Sequence, residues 1–319
     1  MLSRTADALY WMARYTERAE NAARLLDVSY RMSLQGGATR MGYWGAALGI
    51  TGLEEAYTAK YGEITAAQVL SFLAVDADNP SSILSCLRAA RENCHAVRGT
   101  VTSEVWETVN TTWLEARESA GTLRRGRLQG SDLTRYCEWV KFRSHLSRGV
   151  TVGTMLRDEA FHFMRLGTFL ERADNTARLL DVKFDELAPS GDTEDEYYEW
   201  GALLRSVSAF EIYRKVYRDV ITPQRVAELL VLHEAMPRSL HACMREVDEI
   251  LGMVGNARSR DTQRRAGELH ARLRFARIED ILEIGLHPYL TQFLERTADL
   301  GDRIARDFLV PIAVREAAP

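Results

Sequence analysis

The chain has 319 residues, of which 46% are hydrophobic and 27% charged, a composition typical of a folded globular protein. Its 21 glycines and 7 prolines are too few for the many turns of a large β-sandwich or barrel, so an all-β fold is disfavoured. The formal net charge of −4 provides no basic character and argues against a dedicated nucleic-acid binder.

Apolar residues recur with helical spacing along almost the whole chain, and no segment alternates as a strand does. The sequence therefore predicts an all-α fold, a helical bundle. An acidic segment with Pro and Gly, 185–199, is predicted to be a loop. The predicted helices cover about 3–34, 51–60, 65–75, 81–98, 103–120, 131–148, 151–184, 200–217, 223–234, 237–254, 260–273 and 277–308.

The sequence predicts a cytoplasmic protein that does not contact a membrane. Arg4, Asp7 and Arg14 lie where a signal peptide needs an apolar core, and no run of 18 apolar residues is present. The cysteines form no CxxC pair and fit no zinc spacing, so reduced, buried thiols are expected. They are Cys86, Cys94, Cys137 and Cys243.

An internal repeat is the most informative feature of the sequence. The segment ERAENAARLLDV (17–28) recurs as ERADNTARLLDV (171–182), with ten of twelve positions identical. Further matches follow in the same order, and their offset rises only from 154 to 157 residues. The sequence therefore predicts a tandem duplication of about 155 residues, with repeats 1–150 and 151–319 packed as one unit around a pseudo-twofold axis. The further matches are Trp44-Gly45-Ala46 with Trp200-Gly201-Ala202, 80–86 with 237–243, and 134–138 with 291–295.

The repeated segment places its polar residues on one helix face and its alanines on the opposite face. Three interpretations of that polar face remain open: a solvated surface, a structural lock, or a ligand pocket. In the lock, the two long helices run antiparallel near the axis, and Glu-Arg pairs cross between them. The lock would join Glu17 to Arg172 and Glu171 to Arg18. The candidate ligand or interface residues are Glu17, Arg18, Asn21, Arg24, Glu171, Arg172, Asn175 and Arg178.

Several segments stand out in chain order: LYWMARYTERAENAARLLDV (9–28), NPSSILSCLRAARENCHAVR (79–98), VWETVN (105–110), FMRLGTFLERADNTARLLDV (163–182) and MPRSLHAC (236–243). Together they resemble the bacterial alpha-E family, an all-helical family with a repeated Glu-Arg motif. The resemblance implies a role in making or modifying a peptide-like amide product, and we expect the chain to act there as an accessory protein and not as a catalyst by itself. Members are typically encoded beside a circularly permuted ATP-grasp ligase and a transglutaminase-like protein, and some are fused to such a ligase. An ATP-grasp-type amide ligase acting in peptide synthesis or modification is therefore the expected partner, with the transglutaminase-like protein as a second.

Nothing in the family assigns catalytic residues to these positions, so none are carried over. The chain has no glycine-rich phosphate loop, which predicts that a partner performs any nucleotide chemistry and that the chain itself needs no cofactor. A homo-oligomer is an open alternative.

Two enzymatic alternatives remain. In one, the paired Glu-Arg motifs act as acid/base and anion anchor in a cleft between the repeats. In the other, two Glu-x-x-His pairs and two glutamates hold a dimetal centre. The pairs break the duplication, because Glu92 and His95 align with Glu249 and Gly252, so no metal is expected. The dimetal candidates are Glu92, His95, Glu159, His162, Glu17 and Glu171.

Overall fold

The computed structural model describes residues 1–34, 42–125, 130–186 and 193–309, and all regular structure in these ranges is helical. This confirms the predicted all-α class. None of the described helices is both long and apolar enough to cross a membrane. The helices are α1 (Ser3–Leu34), α2 (Gly42–Thr51), α3 (Glu54–Tyr61), α4 (Ala66–Ala74), α5 (Ile83–Ala96), α6 (Ser103–Arg125), α7 (Ser131–Thr154), α8 (Glu159–Glu186), α9 (Thr193–Ser206), α10 (Phe210–Tyr217), α11 (Pro223–Val231), α12 (Leu240–Met253), α13 (Arg260–Phe275), α14 (Ile278–Ile284) and α15 (Leu286–Phe308).

Two local predictions were wrong. The acidic segment is not a loop throughout, because α9 begins at Thr193; residues 187–192 lie outside the described ranges. A helix was expected to begin near residue 151, but α7 continues to Thr154 and α8 begins at Glu159. The proposed boundary between 150 and 151 therefore falls inside α7. The division into two repeats stays a prediction.

Helix α2 was missed because its three glycines lower its intrinsic helix propensity. Packing compensates for that weakness. Trp44 is 1% exposed, and Leu48 and Ile50 are also buried. Trp200, the residue that matches Trp44 in the internal alignment, is buried as well, so both tryptophans anchor their helices in the core.

Helix α1 runs through the centre of the bundle. It packs most extensively against α8 and α5, and further against α7, α9 and α2. Its alanine face is buried, as expected, and Ala19 and Ala23 are completely covered. Its polar face is buried too, because neighbouring helices surround α1 on several sides.

Helices α1 and α8 run parallel, so the antiparallel arrangement was wrong. Contacts advance together along both helices: the amino group of Met1 lies 2.6 Å from Oε2 of Glu159, and Arg14 reaches Glu171. A twofold axis can lie along two helices or across them, and only the second case makes them antiparallel. The repeat pattern does not distinguish the two cases.

A glycine permits the closest approach between α1 and α8. A Cβ atom placed on Gly167 would lie 2.3 Å from the carbonyl oxygen of Tyr10, which is far inside van der Waals contact. Because the obstructing atom belongs to the backbone of a buried helix, it cannot move without shifting the helix itself. Gly167 therefore sets the distance between the two central helices.

We expect Gly167→Ala to lower the free energy of unfolding by about 1–3 kcal/mol, because the added methyl group overpacks the crossing. Urea denaturation would measure the change. Gly149→Ala is the matched control, since Gly149 also lies within a helix but has nothing within 4 Å of its Cβ position. The control should be neutral or stabilising by up to about 1 kcal/mol. Equal effects of both substitutions would contradict the close crossing.

Candidate functional site

Two crossed ion pairs join α1 to α8 at the centre of the molecule. Arg172 donates from Nε to Oε1 of Glu17 and from Nη2 to Oε2, each at 3.0 Å. Arg18 donates from Nε to Oε1 of Glu171 at 2.6 Å and from Nη2 to Oε2 at 3.0 Å. The crossed pairing expected of a structural lock is present, and both pairs have the bidentate geometry that fits a guanidinium to a carboxylate.

Around Glu17, further side chains complete a buried network that we call the filled cluster. Arg238 binds both Glu17 (2.9 Å) and Glu20 (2.7 Å). Arg148 also bridges the same two carboxylates, at 3.0 and 2.6 Å. Each of these buried carboxylates therefore has several cationic partners. The filled cluster consists of Glu17, Glu20, Asn21, Arg24, Ser144, Arg148, Arg172 and Arg238.

The filled cluster has the electrostatic features of a structural network. Burial acts to raise the pKa of Glu17, but Arg172 and Arg238 outweigh it and lower that pKa below its ordinary value. Burial likewise acts to raise the pKa of Glu20, and Arg238, Arg148 and Arg24 lower it well below the ordinary value. Both carboxyl groups are thus held ionised in the interior, which is stable only while their partners remain.

Around Glu171, helices α1 and α8 together with α15 and the end of α2 line an open cavity of about 460 Å³. Glu171 accepts a hydrogen bond from Nε of Arg14 at 2.7 Å in addition to the pair with Arg18. Burial acts to raise the pKa of Glu171, but these two guanidinium groups lower it to about 2. Besides Arg14, Arg18 and Glu171, the open cavity is lined by Tyr10, Trp11, Asn21, Ser81, Asp174, Asn175, Arg178, Thr297, Gly301, Asp302 and Ala305, among others.

The structure divides the eight sequence-predicted residues between these two places. Glu17, Arg24 and Arg172 belong to the filled cluster, whereas Arg18, Glu171, Asn175 and Arg178 line the open cavity. Asn21 takes part in both, because its Oδ1 accepts a hydrogen bond from Arg238 at 3.0 Å and the residue also lines the cavity. The interpretation of the polar face as a solvated surface is wrong for the first copy of the motif. There, Glu17, Glu20, Asn21 and Arg24 are at most 7% exposed.

Sequence reasoning missed the arginines that fill the cluster from outside the repeated segment. Arg238 precedes α12, and Arg148 lies on α7. One signal could have identified Arg238. Segment 237–243 aligns with segment 80–86, and in this alignment Arg238 stands opposite Ser81. When two repeats are otherwise similar, a position that is charged in one repeat and uncharged in the other indicates that the surroundings of that position differ.

The dimetal candidates do not converge. Glu92 is 59% exposed and binds Arg91, whereas His95 packs against Trp106. Glu159 binds the amino terminus. Within the described residues, no three His, Cys, Asp or Glu side chains form a group that could hold a metal ion. The absence of a metal from the protein stays a prediction.

Comparison with known proteins identifies a family and distant relatives. The Alpha-E family model, described as a predicted alpha-helical domain with a conserved ER motif, matches residues 1–309. Uncharacterized proteins of Mycobacterium bovis and of two strains of Mycobacterium tuberculosis are 26% identical to the chain over 310 residues, covering 91% of this chain and 35% of each relative. The chain thus spans about a third of the length of the curated relatives it matches. No solved structure is a significant match.

The crossed pair can be measured with a double-mutant cycle on Glu17→Gln and Arg172→Gln. Each single substitution should cost about 3–5 kcal/mol of unfolding free energy, because it leaves a buried charge without its partner. The coupling between them should exceed about 1 kcal/mol. The control cycle uses the exposed pair of Glu268 and Arg272 on α13, where no measurable coupling is expected. Coupling as small at the buried pair as at the control would refute the lock.

The depressed pKa of Glu171 predicts a specific loss of stability in acid. In the unfolded chain this carboxyl titrates near 4.5, whereas in the folded protein its pKa is about 2. The stabilisation is therefore complete above pH 4.5 and is lost as the pH falls through that window, by an amount on the order of 3 kcal/mol. Urea denaturation at decreasing pH should show a steep decline for the wild type and a shallower one for Glu171→Gln. Parallel curves for the two proteins would contradict this assignment.

Proposed function

The chain belongs to the Alpha-E family, and we propose that it is a helical accessory protein, not itself a catalyst, that works with an ATP-grasp-type amide ligase in peptide synthesis or modification. The family resemblance supports the partner. The mycobacterial relatives support joint action with other segments, since the matched region is about a third of each of those longer chains. A transglutaminase-like protein would be a second partner on the same grounds.

The observation that supports the accessory role is that the Glu-Arg motifs form buried, crossed ion pairs between α1 and α8. A general acid or base works best with a pKa near the operating pH. Glu171, with a pKa of about 2 and two guanidinium partners, remains an ionised carboxylate at neutral pH. Glu17 is held ionised in the same manner by Arg172. This favours the accessory role over the alternative in which these motifs perform acid/base chemistry.

The cysteines support the same view. The thiolate is the reactive form of cysteine, and its formation requires a pKa near or below the ambient pH. Burial raises the pKa of Cys86, Cys94 and Cys243 to about 12. These thiols therefore remain protonated, as expected of side chains that pack the core and do not act as nucleophiles.

The test compares ATP turnover by the ligase encoded beside the chain with and without the full-length protein. We expect the two proteins to co-purify and turnover to rise until the chain saturates the ligase. The matched control adds the chain after thermal unfolding, which retains the composition but removes the helical surface. A ligase that is fully active alone and never binds the chain would refute the proposal. Product formation by the chain without ligase would instead establish the enzymatic alternative.

A further inference from the structure

The filled cluster and the open cavity occupy matching positions in the internal alignment, and their difference indicates what the cavity binds. In the filled cluster, the guanidinium of Arg238 is held by Oε1 of Glu20 at 2.7 Å and by Oδ1 of Asn21 at 3.0 Å. The aligned residues in the second copy of the motif are Asp174 and Asn175, so the same two acceptor types are retained at the cavity.

The arginines that fill the cluster are absent from the matching positions at the cavity. Ser81 aligns with Arg238, and with the same offset of 157 Ala305 aligns with Arg148. Both small residues line the open cavity. The space that two arginine side chains occupy in one copy is therefore empty in the other, where the acceptors remain.

These acceptors have unused hydrogen-bonding capacity. Arg178 donates to both carboxylate oxygens of Asp174, at 2.8 and 3.2 Å, which leaves each oxygen a further lone pair. Glu20, by comparison, is bound by three arginines. Within the described ranges, Asn175 and Asp302 have no side-chain hydrogen bond or ion pair. A guanidinium or ammonium group would satisfy all three side chains with charge-assisted bonds.

The remainder of the cavity offers donors. Arg18 binds Glu171 through Nε and Nη2, and Arg14 uses Nε on Glu171 and Nη1 on Tyr10, so each has a terminal nitrogen left over. The Nδ2 atom of Asn21 is buried without a partner, and so is Oγ1 of Thr297, on residues 6% and 3% exposed. Buried polar atoms of this kind normally have a hydrogen-bond partner. A carboxylate would provide acceptors for the donors among them.

We propose that the open cavity binds a small ligand with a guanidinium group at one end and a carboxylate at the other: arginine, either free or at the carboxyl end of a peptide. The cation binds Asp174, Asn175 and Asp302, in the place that corresponds to the Arg238 guanidinium. The carboxylate binds the nitrogens left over on Arg14 and Arg18. This inference goes beyond the accessory role and concerns the chain alone.

Isothermal titration calorimetry of the full-length protein tests the ligand chemistry with four probes: L-arginine, alanyl-arginine, agmatine and L-citrulline. We expect L-arginine or alanyl-arginine to bind with one-to-one stoichiometry, and the tighter of the two identifies a free or a peptide-borne ligand. L-Citrulline, which has the same length without the charge, should bind at least about tenfold more weakly. Agmatine, which lacks the carboxylate, should also bind more weakly than L-arginine.

Two outcomes would overturn the proposal. One is no binding of L-arginine or alanyl-arginine at millimolar concentration, and the other is equal binding of L-citrulline and L-arginine. Equal binding of agmatine and L-arginine would overturn the assignment of the carboxylate to Arg14 and Arg18. The ligase is absent from these titrations, so their failure is distinct from failure of the accessory role.

Substitutions then locate the site. Ser81→Arg should fill the cavity as Arg238 fills the cluster, and should weaken binding at least about tenfold while the melting temperature is kept or raised. Ala271→Arg, which adds the same charge at an exposed position of α13, should bind as the wild type does. Asp302→Asn is a second variant at an exposed position, so its result does not depend on whether an arginine at position 81 fits into the cavity. It should also weaken binding, because it removes one of the charges that bind the cation. Wild-type affinity in both Ser81→Arg and Asp302→Asn would overturn the location.

Discussion

The crossed pairs of Glu17 with Arg172 and of Glu171 with Arg18 determine what the rest of the chain must provide. Removing a carboxylate from water costs several kcal/mol, and the pairing offsets that cost only if the geometry is good and the remaining oxygen lone pairs are satisfied. Two buried carboxylates in the first copy therefore require several donors from other elements. Helix α7 and the turn before α12 provide them through Arg148 and Arg238. The bundle is arranged so that distant segments meet at these oxygens.

The two copies of the motif retain the same crossed pairs and differ in what surrounds them. Beside Glu17, arginine side chains of the chain itself occupy the interior. Beside Glu171, the matching positions are Ser81 and Ala305, and a cavity remains. Arg14 partly compensates by giving Glu171 a second guanidinium, and the aligned residue in the other copy is the uncharged Thr168. The copy around Glu17 is thus closed and suited to stability. The copy around Glu171 keeps its charged groups on the wall of an accessible cavity.

Local sequence patterns predicted most of the helices and the partners in the crossed pairs, because both depend on residue spacing and on complementary charge. They could not predict the parallel direction of α1 and α8, because the same repeat fits a twofold axis along the helices and one across them. They missed α2, whose glycines disfavour a helix until Trp44 is buried. They also could not predict the burial of Glu20. A helix face with alternating charges has the same sequence pattern whether water or arginine side chains surround it.

The central position of α1 has a consequence for the order of events during synthesis. Helix α1 is synthesised before the other described helices, yet Glu17 and Glu20 obtain their partners from residues 148, 172 and 238. Until those residues emerge, hydration of the carboxylates opposes the burial of that face. The contacts that complete the core span more than 200 residues of chain (from Glu20 to Arg238), and such long-range closure slows folding. A nascent chain would therefore hold α1 exposed until Arg238 has been synthesised, and its alanine face would be open to chaperones during that interval.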